Sequence, residues 1–351
     1  MVIRVAILGA GIGREHLAAY RKLHDTFDVT RIVDQDEARA ESLRQGDTFE
    51  VSDNLQAALD APEVDVIDIC LPPHLHVPVA LRALEARKHV ICEKPLATSL
   101  ADVDRLRTAA QLNQKQVFPV FQYRWGPPLA QLCGLIAAGL TGQPQVGAIE
   151  THWSRGADYY AVPWRGTWAG EQGGAVLGHA IHNHDLMTHF MGPVASVGAM
   201  TTTRVNPIET EDCAAISFRL ANGALATSSI TLGAARDETR IRLVFERLTA
   251  TSGTAPYAPG AAPWSFTARN PDHQPQIDAC LAELGSEPIG YEGFFAAISD
   301  QLAGRASTAV TLEEGRASIA LVTAIYHAAR SGQTVNLPLC DNHPLYGGWQ
   351  L

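Results

Sequence analysis

The stretch VIRVAILGAGIG, residues 2–13, decides the fold of the first part of the chain. Its apolar run Ile3–Leu8 predicts a strand covered on both faces, and the glycines after it predict a tight turn into a helix near Arg14. Further apolar runs alternate with stretches of helical periodicity as far as Val120. This alternation predicts a doubly wound α/β domain, in which helices cover both faces of a parallel sheet. The predicted strands are Ile3–Leu8, Val29–Val33, Val66–Leu71, Val90–Cys92 and Val117–Val120, and the helical stretches are His16–Leu23, Glu37–Leu43, Leu55–Leu59 and Val77–Ala86.

The pattern changes after Tyr123, where apolar and polar residues begin to alternate. Period-two alternation predicts an antiparallel or mixed sheet with one face against helices. The predicted strands are Gln145–Trp153, Ala195–Thr202, Ala214–Leu220, Ala224–Thr231 and Ile241–Thr249, and helices are predicted near Pro128–Leu140, Gly293–Leu302 and Thr311–Arg330. Because 351 residues exceed what one core usually supports, we predict two domains, residues 1–123 and 124–351. The second is expected to be an α+β domain with a large open sheet.

The composition excludes several classes of partner. The chain carries 27 Lys and Arg against 37 Asp and Glu, a net charge of -10, whereas nucleic acids and anionic membranes are bound by clustered basic residues. No window approaches the run of about 18 apolar residues that a membrane span needs, and the N-terminus starts a strand without a charged leader. Cys70 and Cys92 fall within apolar runs, and no CxxC pair occurs, so buried free thiols are expected. We therefore predict a cytoplasmic protein with no nucleic-acid or membrane partner.

The glycine turn at residues 9–13 and Asp34 together predict a dinucleotide site. Glycines let the backbone approach a pyrophosphate, whose charge rests on the free N–H groups of the helix start. Asp34 ends the second strand, where a carboxylate accepts hydrogen bonds from the adenosine ribose and repels a 2′-phosphate, so NAD is predicted rather than NADP. Two alternatives stay open: the glycines serve only the turn, and Asp34 caps a helix at Glu37–Ala40. The predicted contacts are Gly9, Gly11, Ile12, Gly13 and Asp34.

Several motifs follow in a fixed order along both domains. They are GREH at residues 13–16, PPHLH at 72–76, KHVICEKP at 88–95, WRGT at 164–167, and the run from Gly173 to Leu186 that contains His182 and Asp185. In this order and spacing the chain resembles the Gfo/Idh/MocA oxidoreductases, the group that contains glucose–fructose oxidoreductase and inositol 2-dehydrogenase. The resemblance spans nearly the whole chain and implies an NAD-binding Rossmann domain followed by a substrate-binding domain.

The resemblance implies that Lys94 lies beside the nicotinamide and contacts the hydroxyl that is oxidised. An ammonium group there would stabilise a developing alkoxide or take part in proton transfer. Glu93 could pair with Lys94 or contact the nicotinamide ribose. Without the family context, Lys94 would be interpreted as an exposed lysine at a strand end. The other implied cofactor contacts are Leu71, Pro72, Pro73, His76, Gln122, Trp164 and Arg165.

His182 is the second predicted catalytic residue. The resemblance pairs this histidine with an aspartate four residues earlier, but here that position is Gly178, followed by His179. We expect His182 to accept the proton, because imidazole titrates near neutral pH, and His179 to contact a sugar hydroxyl. Asp185 could orient His182 or hold a substrate hydroxyl. Four histidines between Gly178 and His189 also permit a zinc site, but no cysteine lies nearby and the resemblance implies no metal, so none is predicted.

Residues 151–165 mix aromatic, basic and acidic side chains in a way that suits a polyol pocket. Aromatic faces stack on sugar C–H surfaces, while Arg and Asp form hydrogen bonds with hydroxyls. Trp153, on an alternating strand, is expected to belong to the core. The predicted substrate contacts are Lys94, Tyr123, Arg155, Tyr160, Arg165, His179, His182 and Asp185.

These residues predict an NAD-dependent dehydrogenase that oxidises a secondary ring alcohol of a sugar or cyclitol. Two other functions stay open: a glycosidase that keeps NAD bound, and a non-catalytic NAD or sugar sensor. The sequence does not choose among inositols, glucose-like pyranoses and anhydrosugars. A homodimer or homotetramer is expected from the resemblance.

Overall fold

The computed structural model describes residues 2–285 and 287–349, and its contacts divide the chain into two compact units. The first unit comprises Met1–Phe121 and Tyr291–Ile319, and the second comprises Gln122–Gly290 and Ala320–Leu351. The first change of unit thus falls within two residues of the predicted boundary. Residues 291–319, predicted to belong to the second domain, join the first. Residues 1, 286, 350 and 351 of the predicted domains lie outside the described part.

Short strands and helices alternate along the first part of the chain, and longer strands dominate the second. In chain order the elements are β1 (Ile3–Leu8), α1 (Gly13–Lys22), β2 (Phe27–Val33), α2 (Glu37–Glu41), β3 (Glu50–Ser52), α3 (Leu55–Asp60), β4 (Val66–Ile69), α4 (Pro73–Glu85), β5 (His89–Cys92), α5 (Leu100–Asn113), β6 (Val117–Pro119), α6 (Pro127–Ala137), β7 (Pro144–Ser154), α7 (Ala157–Tyr160), α8 (Ile181–Met191), β8 (Val194–Thr202), β9 (Cys213–Leu220), β10 (Leu225–Thr231), β11 (Gly233–Phe245), β12 (Leu248–Thr251), β13 (Ser265–Ala268), α9 (Gln274–Glu283), α10 (Tyr291–Leu302), α11 (Leu312–Ser331) and β14 (Val335–Asn336).

The first unit contains a six-stranded parallel sheet in the order β3-β2-β1-β4-β5-β6. Its central strands are buried on both faces, so the predicted doubly wound α/β fold is confirmed. The strand order reverses at β1: β2 and β3 extend the sheet on one side of it, and β4, β5 and β6 extend the sheet on the other. Ligands of such sheets bind at the carboxyl ends of the strands beside this reversal.

Helix α10 belongs to the first unit because its aromatic side chains pack on α1. Phe295 stacks on Tyr20 with ring centroids 4.1 Å apart and an angle of 15° between the planes. Both side chains are fully buried. The helical periodicity of residues 291–302 predicted a helix correctly, but periodicity carries no information on which sheet a helix covers.

The second unit contains an eight-stranded sheet in the order β13-β12-β11-β7-β10-β9-β8-β14. Only β7 and β10 pair in parallel, and the other neighbours are antiparallel, so the predicted large mixed sheet is confirmed. The prediction of one strand at Ile241–Thr249 is wrong. β11 ends at Phe245, and the polar pair Glu246-Arg247 turns the chain into β12, which pairs back onto β11.

A π-helical turn at Val176–Ala180 leads directly into α8, which lies on β7 and β11. Such turns insert one extra residue into a helix and are frequent at functional sites. The buried residues of α8 include His182, His184 and Asp185. The turn therefore sets the rotation at which these polar side chains leave the helix.

The remaining predictions about the bulk of the protein concern burial. Cys70 and Cys92 are buried free thiols and Trp153 is a buried core residue, as predicted. In the described part of the chain, every helix is too short or too polar to cross a bilayer.

Candidate active site

The glycine turn joins β1 to α1 and leaves one side of its backbone open. Gly9 has a φ of 100°, and a Cβ there would overlap the Cys70 carbonyl oxygen. At Gly13 a Cβ would lie 2.8 Å from Ile7 Cγ2, so the turn packs tightly on the sheet. At Gly11, by contrast, no described atom lies within 4 Å of the position that a Cβ would take. The backbone N–H groups there can be approached by a phosphate group.

Asp34 follows β2 and ties the glycine turn to the second strand. Its Oδ2 accepts a hydrogen bond from the Ala10 N–H at 2.6 Å, and its Oδ1 accepts from the Asp36 N–H at 2.9 Å and from Arg39 Nη2 at 2.6 Å. Burial would raise the pKa of Asp34, but these donors and the Arg39 charge outweigh it and lower the pKa. The cap of α2 is Asp36, which accepts from the Arg39 N–H, so the alternative that Asp34 caps this helix is wrong.

Lys94 follows β5 within a loop that is held from two sides. Glu93 Oε2 accepts a hydrogen bond from the Lys94 N–H at 3.0 Å, and the Lys94–Pro95 peptide bond is cis. The ring nitrogens of His76 lie 2.7 Å from the carbonyl oxygens of Leu71 and Pro95. Burial lowers the pKa of His76, although both carbonyls oppose this. The His76 ring thus lies between the loop after β4 and the loop after β5.

A buried polar network lies behind this loop, and Glu93 is its one member with a role predicted from the sequence. His16 on α1 lies between the carboxylates of Asp68 and Glu93, and Tyr20 and Tyr291 donate hydrogen bonds to these two acids. One sequence signal pointed to it. Asp68 is the only charged residue in the apolar run Val66–Leu71, and a buried carboxylate needs partners.

In the second unit, the turn at Gln122–Arg124 holds α8 through two side chains. Tyr123 stacks on His182 with centroids 4.3 Å apart and an interplanar angle of 19°. Arg124 Nε and Nη2 donate to the two Asp185 oxygens at 2.8 and 2.6 Å, and both side chains are buried. The Asp185 carboxylate is therefore part of a bidentate ion pair, a partner that the sequence did not indicate.

His179 lies in the π-helical turn and faces aromatic rings. The ring centroids of Trp153 and His179 lie 5.2 Å apart in an edge-to-face arrangement, and those of Tyr159 and His179 lie 5.8 Å apart. The Tyr160 ring makes an edge contact with Tyr159 at 5.0 Å, and burial raises the pKa of Tyr160. His179 and Tyr160, both predicted substrate contacts, therefore border the same aromatic ring.

Two guanidinium groups complete this aromatic–arginine cluster, which consists of Trp153, Arg155, Tyr159, Tyr160, Arg165, His179 and Tyr257. Arg165 lies 3.9 Å above the Tyr159 ring centroid and 4.7 Å from that of Trp164. Arg155 covers Trp153 at 5.1 Å and forms an ion pair with Asp237 at 2.9 Å. Flat rings flanked by N–H donors suit a sugar ring with hydroxyls at its edge.

The structure thus distributes the predicted site residues over both units. Gly9, Gly11, Ile12, Gly13, Asp34, Leu71, Pro72, Pro73, His76, Glu93 and Lys94 belong to the first, and Gln122, Tyr123, Arg155, Tyr160, Trp164, Arg165, His179, His182 and Asp185 to the second. Gln122 Oε1 is buried and has no hydrogen-bond donor among the described residues. In the first unit, the open Gly11 face and the ionised Asp34 fit a dinucleotide.

A buried carboxylate supports the start of the π-helical turn. Glu211 accepts hydrogen bonds from the N–H groups of Gly174 and Val176 at 3.2 and 3.0 Å and from the Tyr326 hydroxyl at 2.9 Å. Burial raises the pKa of Glu211 to about 7, although these donors oppose the shift. The Glu211 side chain therefore titrates near neutral pH.

Two family models match the chain. Residues 3–121 match the oxidoreductase family with an NAD-binding Rossmann fold, and residues 129–251 match the GFO/IDH/MocA C-terminal domain. Together they cover most of both units. The NAD cofactor and the family predicted from the sequence are thereby confirmed.

Individual relatives agree with this assignment. An uncharacterized oxidoreductase of Synechocystis sp. is 30% identical over 247 residues, 65% of each chain. Inositol 2-dehydrogenase of Mycolicibacterium smegmatis is 37% identical over 148 residues, 41% of this chain and 43% of that protein. The crystal structure of the WlbA dehydrogenase from Bordetella pertussis, in complex with NADH and UDP-GlcNAcA, superimposes with a TM-score of 0.83 at 27% identity, over 97% of this chain and 100% of that chain.

The alignments with these two curated relatives span less than two thirds of the relatives' own length. The family models, in contrast, account for both units of the fold and for the glycine turn at its start. The chain therefore belongs to the GFO/IDH/MocA family of oxidoreductases, and its first unit is that family's NAD-binding Rossmann domain.

Proposed function

We propose that the protein is an NAD-dependent dehydrogenase that oxidises a secondary ring alcohol of a sugar or cyclitol. In this reaction the carbinol C–H bond breaks with its electron pair, the hydroxyl proton leaves to a base, and a ketone or lactone forms. NAD, when bound, accepts the hydride at C4 of its nicotinamide. Lys94 and His182 are the residues proposed for the proton transfer.

The observation that carries the proposal lies at one edge of the parallel sheet. The glycine turn after β1, Asp34 after β2 and Lys94 after β5 all follow the carboxyl ends of their strands. The first two supply N–H donors and a carboxylate that suit a pyrophosphate and a ribose. Lys94 supplies the ammonium group suited to stabilise an alkoxide.

His182 is proposed as the proton acceptor because its imidazole is held firmly in α8. The stacked Tyr123 ring fixes one face of the imidazole, and the Arg124–Asp185 ion pair fixes the helix one turn further on. A fixed base transfers a proton without first losing side-chain freedom. The aromatic–arginine cluster is proposed to bind the sugar or cyclitol ring.

The names of the relatives support this class of substrate. One relative is named for inositol, and WlbA is described with a nucleotide sugar and NADH. Both ligands carry secondary ring hydroxyls. We therefore propose that the substrate is a cyclitol, a sugar or a sugar derivative, with NAD rather than NADP as oxidant, since Asp34 is ionised.

The test is a screen for NAD reduction by the purified protein over monosaccharides, cyclitols, glycosides and nucleotide sugars. We expect the near-ultraviolet absorbance of NADH to appear with at least one member. Tight NAD binding without reduction by any of them would contradict the proposal and favour a sensor. Release of sugar from a glycoside without net NADH would favour a glycosidase that retains NAD.

Oligomeric state and location stay predictions. We propose a homodimer or homotetramer in the cytoplasm, with no nucleic-acid or membrane partner. Light scattering coupled to size-exclusion chromatography tests the first of these, and fractionation of cells tests the second.

A further inference from the structure

The buried polar network of the first unit places one imidazole between two carboxyl groups. His16 Nδ1 lies 2.8 Å from Asp68 Oδ2, and His16 Nε2 lies 3.1 Å from Glu93 Oε1. His16 and Asp68 are fully buried, and Glu93 is 5% exposed. A neutral imidazole has a single N–H, so it can donate to only one of two carboxylates. With both acids ionised, both contacts are hydrogen bonds only if both ring nitrogens carry protons.

The groups around His16 agree with a cation at this position. The Tyr20 hydroxyl donates to Asp68 Oδ2 at 2.9 Å, and the Tyr291 hydroxyl donates to Glu93 Oε1 at 2.8 Å. Together with the Lys94 N–H, these hydroxyls supply three donors to the two acids, as suits ionised carboxylates. Two buried anions need a compensating positive charge, and the His16 ring lies between them.

The other neighbours of His16 add no competing charge. Cys70 Sγ lies 3.4 Å from His16 Nδ1, and burial raises the pKa of Cys70 to about 12, so its thiol is neutral. The Tyr291 and Phe295 rings pack on the imidazole at 4.4 and 5.3 Å. Burial alone would lower the pKa of His16, but the contacts with Asp68 and Cys70 outweigh it and the pKa lies well above its usual value.

The network ends at the proposed catalytic lysine. Glu93 uses Oε1 for His16 and Tyr291, and its other oxygen, Oε2, accepts the hydrogen bond from the Lys94 N–H at 3.0 Å. One carboxylate thus connects the imidazole to the backbone of Lys94. We propose that His16, as an imidazolium, is a positioning residue that fixes the Glu93 carboxylate and thereby the backbone from which Lys94 projects. The role of Lys94 in this statement rests on the proposed function.

A metal site is the competing interpretation of the same cluster. One ligand atom each of His16, Asp68 and Cys70 lies within 4.8 Å of the others. A metal ion on the His16 ring would replace one of its N–H protons, whereas the proposed imidazolium keeps both. The protonation state of the ring therefore separates the two.

The first experiment reads that protonation state without any assay of activity. The full-length protein, labelled with 15N in its histidine rings, is followed by NMR at pH 8, above the imidazole pKa of about 6.5. His16→Gln identifies the His16 signals by their loss. We expect two ring N–H resonances from His16 and no change when Zn²⁺ is added. A neutral ring at pH 8, or displacement of a ring proton by Zn²⁺, would overturn the proposal.

The second experiment asks whether the network serves the lysine or only stability. We expect His16→Gln to lower kcat by about 10- to 100-fold, the range typical of residues that orient an active group. It should also move the inflection of the kcat–pH profile to higher pH, because an uncompensated Glu93 charge favours the ammonium form of Lys94.

The matched control is Tyr20→Phe, which removes a hydrogen bond to Asp68 and leaves Glu93 untouched. It should lower Tm without moving the pH profile. If His16→Gln lowers Tm but leaves both kcat and the inflection unchanged, the positioning role is refuted. If none of the compounds in the screen reduces NAD in the presence of the unsubstituted protein, the proposed function fails. The NMR result still decides the protonation state of His16.

Discussion

The two units hold their candidate active groups by different kinds of interaction. In the first, hydrogen bonds and buried charges fix the loops: Asp34 binds the glycine turn and Glu93 binds the Lys94 backbone. In the second, ring contacts are added to ion pairs: Tyr123 stacks on His182 and Arg165 lies over Tyr159. Hydrogen bonds are directional and specify one geometry, whereas the flat face of an aromatic ring can contact ligands of many shapes. The difference suits a first unit that binds one cofactor and, under the proposed function, a second unit that binds a sugar or cyclitol ring.

The largest expected effect is on kcat and tests Lys94, whose loop in the first unit is fixed by hydrogen bonds. Lys94→Ala should lower kcat by about 10²- to 10⁴-fold for every substrate, the range of a lost acid–base group. NAD affinity, measured by quenching of protein fluorescence, should change little, because the glycine turn and Asp34 are intact. Equal turnover in the variant would remove Lys94 from the mechanism.

The next effect concerns the buried Arg124–Asp185 ion pair beside His182 in the second unit. Arg124→Met leaves the Asp185 carboxylate buried without its bidentate partner and should lower the free energy of unfolding by about 3–5 kcal/mol. Denaturant titration measures this. Arg305→Met, which breaks the exposed pair with Asp300, is the matched control and should cost no more than about 1 kcal/mol. Similar losses in both variants would show that α8 does not depend on the Arg124 contact.

A pH effect of intermediate size is expected at Glu211. Its folded pKa of about 7 lies above the unfolded value of 4.5, so the folded state binds the extra proton between these values. Stability should therefore fall as pH rises from about 4.5 to 7, by up to about 3 kcal/mol. Glu211→Gln should flatten this slope in Tm measurements at several pH values. An unchanged slope would place the titration elsewhere.

Cofactor choice gives a smaller and more specific effect in the first unit. Asp34→Ala removes the carboxylate beside Arg39 and leaves that guanidinium able to contact a 2′-phosphate. We expect NAD affinity to fall by about 10-fold, or about 1.4 kcal/mol, and NADP affinity to rise. Asp36→Ala, which removes only the cap of α2, should leave the NAD to NADP ratio unchanged. A similar shift in both variants would contradict the role of Asp34.

The smallest effect tests the aromatic–arginine cluster. Arg165→Gln removes the cation above Tyr159 and should raise KM by about 5-fold, equivalent to roughly 1 kcal/mol, with kcat nearly unchanged. Arg219→Gln, on the exposed side of β9, serves as the control and should leave KM unaltered. A change in NAD affinity without a change in the KM for the substrate would show that Arg165 contacts the cofactor instead.

Sequence patterns predicted those parts of the fold that local physics determines. The apolar runs predicted five of the six strands of the first sheet, and β3 was missed because Val51 is its single apolar residue. The strand alternation after Tyr123 failed where Glu246-Arg247 divides one apparent strand into two, and it missed the short strands β13 and β14. The packing of α10 on α1 could not be read from periodicity, because it depends on contacts between residues far apart in the chain, such as Tyr20 and Phe295.

The candidate site was less predictable than the fold. Motif order identified Asp34, Lys94 and His182, each of which lies at or beside the end of an element. It did not reveal that Asp185 pairs with Arg124 or that His16 lies between two acids, because partners of buried charges come from distant elements. A charged residue within an apolar strand, Asp68, was the one local sign of such a network.

The return of residues 291–319 to the first unit has a consequence for how the chain is made. The aromatic cluster around Tyr20 and the hydrogen bond from Tyr291 to Glu93 require side chains that leave the ribosome long after β1–β6. During synthesis the surface of α1 that packs on α10 therefore stays uncovered until most of the polypeptide has emerged. A chain truncated at residue 123 should accordingly aggregate or bind chaperones rather than behave as an autonomous domain.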